Sequence, residues 1–165
     1  MNRSRYRFVP AALWLLVALA VPRPAAALLY SCDVSAVGVS FGSYDPLAFS
    51  DTEATGEVSV TCSLLGLTSL LVNYEIELST GGSGSYFPRE MAAGTHTLEY
   101  QLDTDAARTT VWGDSSGATY TVSDGYLLGL GDVTRHYSVY GTLPANQMVA
   151  AGSYADTITV TVNYY

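Results

Sequence analysis

The side chains with the clearest potential for chemistry are two cysteines, Cys32 and Cys62, and two histidines, His96 and His136. Cysteine and histidine together bind zinc, but a metal site needs several ligands close together, and these histidines lie far apart along the chain. An even number of cysteines in an exported chain favours a disulfide. A Cys32–Cys62 bridge closes a loop of roughly 31 residues, which stabilises a fold by about 3.7 kcal/mol in the chain-entropy model. The sequence therefore predicts a disulfide, with no metal ion or other cofactor.

Acidic side chains offer the other possible chemistry. Glu75 and Glu77 alternate onto one face of a predicted strand, as the paired carboxylates of glycosidases can. Asp103 and Asp105, with Asp114, have a spacing that matches no calcium loop and is more typical of solvated acids in turns. No serine lies in a nucleophile-elbow motif, and no glycine-rich phosphate loop precedes a helix. We therefore predict that the protein is not an enzyme.

The elements that must position these side chains are β-strands. Apolar and polar residues alternate, with the period of a half-buried strand, and no stretch has the pattern of a helix. Turns rich in glycine, serine and aspartate separate the alternating segments. This pattern favours an all-β antiparallel sandwich or barrel. The predicted strands are 57–62, 73–78 and 97–102, with shorter candidates at 34–41, 109–112, 120–122 and 137–143.

The last ten residues show the most regular alternation. Ile158, Val160, Val162 and Tyr164 fall on one face of an extended segment, and threonines and an asparagine fall on the other. No turn or partner strand follows them. We expect such a strand either to lie at the edge of a sheet or to pair with a strand from another molecule.

The N-terminal residues predict export. Arginines near the start precede an apolar run at 11–21, and alanines at 25–27 supply a cleavage site, so residues 1–27 are predicted to be a secretory signal peptide. One alternative is a membrane anchor, although a proline-arginine-proline sequence cuts the apolar run short. The other is a lipoprotein box at 29–32, which the tyrosine at position 30 fits poorly.

Cleavage after residue 27 leaves one predicted domain, residues 28–165. This mature chain carries three arginines against fifteen acidic residues (3 − 15 = −12). A surface this acidic repels nucleic acid and anionic lipid head groups. We therefore predict no nucleic-acid partner, and no membrane anchor in the mature form.

A series of short motifs occurs in order along residues 28–165. These are Cys32, 39–44, Gly56, 60–62, Tyr74, Arg89, Met91, Leu98, Tyr100, Leu102, Asp105, 111–114, 140–141, Pro144, Gln147 and 152–157. Through them the sequence resembles the spore coat protein U domain family, which includes the subunits of archaic (Csu-type) chaperone-usher pili. Asp103 departs from the pattern, since the family usually has an aromatic residue there. Each motif alone is weak support, whereas their common order is strong support.

The resemblance implies an immunoglobulin-like antiparallel β-sandwich that lacks its last strand. A periplasmic pilus chaperone would supply that strand in transit, and a neighbouring subunit would donate it after assembly by an outer-membrane usher. The groove for it is expected at Ile158, Val160, Val162 and Tyr164. The implied function is a secreted structural or adhesive subunit that passes through the periplasm to the cell surface. The alternatives are a self-complete coat or matrix protein and a carbohydrate-binding β-sandwich with an exposed Trp112.

The position of the first cysteine bears on the role of such a subunit. Only residues 28–31 separate the predicted cleavage site from Cys32, whereas a donated strand needs about 6 to 10 residues. We therefore expect a subunit that accepts a strand without donating one. Such a subunit ends a head-to-tail fibre, either at its distal tip or as a terminator.

Overall fold

The computed structural model describes residues 30–66 and 68–165, so the predicted signal peptide lies outside the described residues. This part of the chain forms eight strands and contains no helix long and apolar enough to cross a membrane. The strands are β1 (Tyr30–Val37), β2 (Thr52–Leu64), β3 (Leu70–Leu78), β4 (Arg89–Ala93), β5 (His96–Asp103), β6 (Val122–Leu128), β7 (Val133–Leu143) and β8 (Val160–Tyr164).

The strands form two antiparallel sheets. The larger sheet has the order β1-β2-β7-β5-β4, and the smaller has the order β6-β3-β8. β1 and β8, the first and last strands of the chain, each lie at the edge of their sheet. This architecture confirms the predicted all-β antiparallel sandwich.

The core lies between the two sheets because apolar side chains alternate onto their inner faces. In β3, Val72, Tyr74, Ile76 and Leu78 are buried, while the residues between them are half-buried or exposed. Trp112 is fully buried, and its Nε1 donates a hydrogen bond to the Ile76 carbonyl at 2.9 Å. Trp112 is therefore a core residue and offers no exposed platform for a sugar.

Three segments differ from the predicted strands. β1 occupies Tyr30–Val37, and residues 38–41 leave the sheet. Residues 109–112 contribute only isolated bridges to Asp103 and Tyr120, because the preceding turn is folded tightly around Asp105. The final strand pairs only over Val160–Tyr164, so it is shorter than the alternating segment formed by the last ten residues.

The sequence pattern also missed one strand near the middle of the chain and misplaced another. β4 was not predicted, because its inward side chain at Arg89 is charged and breaks the apolar alternation. β6 begins only at Val122 and continues to Leu128, beyond the predicted strand at 120–122.

The prediction that Asp103 is a solvated turn residue is wrong. Asp103 is the last residue of β5 and only 2% exposed, since it pairs with Tyr140 of β7 and bridges to Val111. Burial raises the pKa of its carboxyl, with a further contribution from Asp105. Asp105 itself lies in a turn, where it accepts hydrogen bonds from the backbone of the following residues.

Candidate functional site

A groove of about 850 Å³ opens between the two sheets. One side, called here the first wall, is residues 36–44, which follow and include the end of β1. The opposite side, the second wall, is residues 149–160, which lead into β8. The floor is apolar and comes from buried inward side chains of both sheets. These are Val58, Leu78, Leu98, Tyr100, Leu102, Val139 and Leu143.

The first wall crosses the inner face of the larger sheet at two glycines. A Cβ on Gly56 would lie 2.6 Å from the Val37 carbonyl oxygen, and one on Gly141 would lie 2.6 Å from Cγ1 of Val39. A side chain at either glycine would therefore clash with the first wall, which could not lie against the sheet in this position. Phe41 then packs its ring against Tyr100, with centroids 6.3 Å apart.

Backbone groups of the first wall are left unpaired. Among the described residues, 38–43 have no backbone hydrogen bond to another segment. β1 pairs with β2 along its whole length, but its other edge has no described partner. The first wall therefore offers free donors and acceptors to the groove.

The second wall ends in a strand with a similar free edge. β8 pairs with β3, from Tyr74↔Tyr164 to Leu78↔Val160, and with no other described strand. Ile158 and Val160 line the groove, and both are only half-buried although they face the interior of the sandwich. They stay partly exposed because no described strand lies on this side of β8.

The other two residues predicted for the groove lie beyond it. Val162 and Tyr164 pack against the core without lining the groove. The ring of Tyr164 meets that of Tyr30 edge-on, with centroids 5.7 Å apart, and its hydroxyl donates to the Cys32 carbonyl at 3.1 Å. Burial raises the pKa of both phenols. The structure thus brings β1 and β8 into side-chain contact at this end.

The predicted disulfide lies at the same end. Cys32 of β1 and Cys62 of β2 are directly paired residues, with Cα atoms 4.0 Å apart, and their sulfur atoms are bonded. The bridge fixes the start of β1 to the larger sheet. It therefore holds the Cys32 carbonyl in position for Tyr164.

Asp156 ties the second wall to both sheets. Its Oδ1 accepts hydrogen bonds from the backbone N–H groups of Gly82 and Thr157, at 2.8 and 2.7 Å. Its Oδ2 accepts one from the Tyr100 hydroxyl at 2.5 Å. Burial, together with this carboxylate, raises the pKa of Tyr100. Because Tyr100 belongs to β5 and Gly82 follows β3, one carboxylate positions the wall between the sheets.

The charged residues lining the groove are all acidic. They are Glu57 and Asp156, with no lysine or arginine among the lining residues. Hydrogen bonds from His136 and Ser59 hold the pKa of Glu57 below its usual range. The groove therefore favours an occupant that is neutral or basic.

Glu57, Ser59 and His136 do not form a hydrolytic triad. His136 Nδ1 contacts both Ser59 Oγ, at 3.0 Å, and Glu57 Oε1, at 2.9 Å. In a triad the base uses one ring nitrogen for the serine and the other for the carboxylate. Within residues 30–66 and 68–165, no group of three or more histidine, cysteine, aspartate or glutamate side chains is placed to hold a metal ion.

Several residues that build the groove were not predicted as site residues. Gly56 and Gly141 admit the first wall, while Tyr100 and Asp156 fix the second. All four occur among the motifs that carry the family resemblance. That shared pattern is the signal that could have identified them.

Residues 17–161 match the family model of the Spore Coat Protein U domain. The chain belongs to this family. It is 33% identical over 133 residues to Protein U of Myxococcus xanthus, a match that covers 76% of this chain and 71% of that protein. The resemblance inferred from the sequence is thereby confirmed. The signal peptide at residues 1–27 and the start of the mature domain at residue 28 stay predictions.

A solved structure shares the fold. It is a chain of the CsuC–CsuE chaperone–tip adhesion subunit pre-assembly complex from archaic chaperone-usher Csu pili of Acinetobacter baumannii. The TM-score is 0.52 at 22% identity, and the match covers 81% of this chain but only 40% of the solved chain. At this level of identity the comparison shows a shared fold.

Proposed function

We propose that this protein is a structural subunit of a surface pilus or coat that accepts a β-strand from another protein into the groove. The observation that carries the proposal is a pair of backbone edges without a described strand partner, at residues 38–43 and from Ile158 into the start of β8 at Val160, on opposite sides of one apolar groove. A strand laid between them would pair with both edges and cover the apolar floor.

The energetics favour such an occupant. A buried backbone group without a partner costs about 1–3 kcal/mol, so covering the groove without pairing its edges would be unfavourable. Burying the exposed parts of Ile158 and Val160 contributes about 25 cal/mol for each Å² of apolar surface removed from water. A strand with alternating apolar residues satisfies both requirements at once.

The proposed partners rest on the resemblance to chaperone-usher pilus subunits. We propose that a periplasmic chaperone supplies the strand in transit, that an outer-membrane usher takes part in assembly, and that a neighbouring subunit supplies it in the fibre. The acidic groove favours a donor without carboxylates.

A position at the fibre tip remains part of the proposal. Tyr30 and Ser31 of β1 pair with Leu64 and Ser63 of β2, so these two N-terminal residues are engaged within the subunit. This supports an accepting role. Mass spectrometry of the mature protein tests the tip position, because an N-terminus well upstream of residue 28 would supply a donor segment and contradict it.

Strand acceptance is tested with a donor fusion, defined as residues 28–165 followed by a glycine–serine linker and an alternating valine–threonine strand. We expect residues 28–165 alone to aggregate or exchange strands, and the fusion to be monomeric with a higher unfolding midpoint. Size-exclusion chromatography with light scattering measures this. If residues 28–165 alone are monomeric and as stable as the fusion, the protein is self-complete and the proposal fails.

Two adjacent residues provide a matched pair of variants. Ile158→Asp places a charge in the groove, whereas Thr159→Asp places it on the exposed face of the same segment. We expect the first change to abolish the stabilisation by the fused strand and the second to preserve it. Equal effects would contradict the assignment of the groove.

A further inference from the structure

We propose that the contact between Tyr30 and Tyr164 closes one end of the groove and fixes the register in which a donor strand binds. This inference rests on the proposed function, since it concerns how the same groove selects its occupant. It assigns a positioning role to two tyrosines at the end of the groove where the chain's first and last strands meet.

Side chains fill the space that an inserted strand would need at this end. A strand paired on both sides lies about 4.8 Å from each neighbour. Here the Tyr164 side chain crosses from β8 to β1, where its hydroxyl donates to the Cys32 carbonyl at 3.1 Å, and the Tyr30 ring packs edge-on beside it. Tyr30 is only 8% exposed, so its ring is packed into the sandwich at this end.

The closed end is held from both sides. Cys32 is fixed by its disulfide to Cys62 and by strand pairing with β2. Tyr164 is fixed by pairing with Tyr74 in β3. A donor strand would have to displace a covalently anchored segment in order to extend past this point.

The groove ends near the tyrosines and continues in the opposite direction. Val160 is the last residue of the second wall to line it, and the lining continues back through Asp156 to Val149. From Val160 to Asp156 alone, at about 3.4 Å per residue, the length is roughly 14 Å, which accommodates at least five residues of a paired strand. Such a strand directs two or three side chains inward, and we infer that these are apolar in a segment that carries no acid.

The test uses nested synthetic peptides. The shortest has five alternating valine and threonine residues with a terminal lysine, and the others add two residues at one end or the other. Residues 28–165 are refolded from urea with a fluorescein-labelled copy of the shortest peptide, and the unlabelled peptides displace it in an anisotropy titration.

We expect a one-sided dependence on length. Extension away from the tyrosines should tighten binding about tenfold, since it adds backbone pairing and one apolar contact. Extension toward them should change affinity less than about twofold. In Tyr164→Val the second extension should also tighten binding, about fivefold or more.

Control variants distinguish opening of the closed end from a failure of the variant to fold. Tyr165→Val changes the adjacent, exposed tyrosine and should keep the one-sided dependence. If Tyr164→Val does not fold, Tyr30→Val opens the same end from β1 and should give the same result. The proposed closure would be overturned if extension at either end raised the affinity of the unmodified protein equally. It would also be overturned if the gain in affinity stayed one-sided after Tyr164→Val or Tyr30→Val. Both results would leave the groove itself in place. Binding of no peptide at any length would instead overturn the proposed function.

Discussion

Replacing Gly81 by alanine should release the second wall, and Gly84 provides a matched control. Both glycines lie in the turn after β3 and have nearly the same backbone conformation, with φ of 73° and 70°. A Cβ on Gly81 would overlap the Oδ2 atom of Asp156, whereas nothing lies within 4 Å of a Cβ on Gly84. The two substitutions therefore share the backbone strain and differ only in the contact with Asp156.

The magnitudes follow from these contacts. An alanine at positive φ costs about 1–2 kcal/mol, and we expect this loss of unfolding free energy for Gly84→Ala. In Gly81→Ala the carboxylate of Asp156 must also move and lose the hydrogen bond from Tyr100, which is 2.5 Å long. A hydrogen bond to a charged group contributes about 1.5–3 kcal/mol. Gly81→Ala should thus lose about 2.5–5 kcal/mol, a large part of the stability of one domain.

Urea unfolding of the donor fusion, with and without Tyr100→Phe, measures both effects. Alone or with Gly84→Ala, Tyr100→Phe should lower the unfolding free energy by about 1.5–3 kcal/mol. With Gly81→Ala it should have almost no further effect, because the hydrogen bond is already broken. Equal losses for the two glycine variants, or a full additional loss from Tyr100→Phe in Gly81→Ala, would refute the role assigned to Asp156.

Three further predictions concern the rest of the sandwich. Arg89→Met removes a buried guanidinium that donates to backbone carbonyls and a glutamine, so urea unfolding should show a loss of roughly 3–5 kcal/mol, against less than about 1 for the half-exposed Arg135→Met. Burial raises the pKa of Asp103 above its unfolded value, so the native state holds this proton more tightly. The unfolding free energy therefore falls as pH rises from the unfolded-state pKa to the native-state pKa. Asp103→Asn should thus raise the thermal midpoint at pH 7 but not at pH 3. Reduction of Cys32–Cys62 should lower the unfolding free energy by about 3.7 kcal/mol, and an unchanged denaturation curve would contradict this.

Much of the fold follows from local pattern because burial alternates along most strands. The alternation in 73–78 identified the inward face of β3, and the cysteine count identified the disulfide. Burial of Asp103 left no local signal, because it arises where β5 meets residues that are distant in sequence. The sequence pattern also could not reveal β4, whose inward arginine finds its partners only in the folded structure.

The site shows the same limit. Ile158, Val160, Val162 and Tyr164 share one face, as their spacing indicates, but only the first two line the groove. Tyr164 instead packs against Tyr30, which lies more than a hundred residues away along the chain. In the first wall, alternating valine and phenylalanine residues resemble a strand. The segment instead crosses the sheet, because glycines in two other strands leave space for it.

The disulfide also determines how the subunit would respond to tension. Residues 33–61 lie inside the covalent loop, so a force applied at the two ends of the chain passes across the bridge and bypasses them. Roughly 100 Å of contour length is therefore withheld from extension even when every strand has separated. The whole first wall, residues 36–44, lies within that loop. The part of the groove that a donor strand would contact on this side is thus removed from the path of the mechanical load.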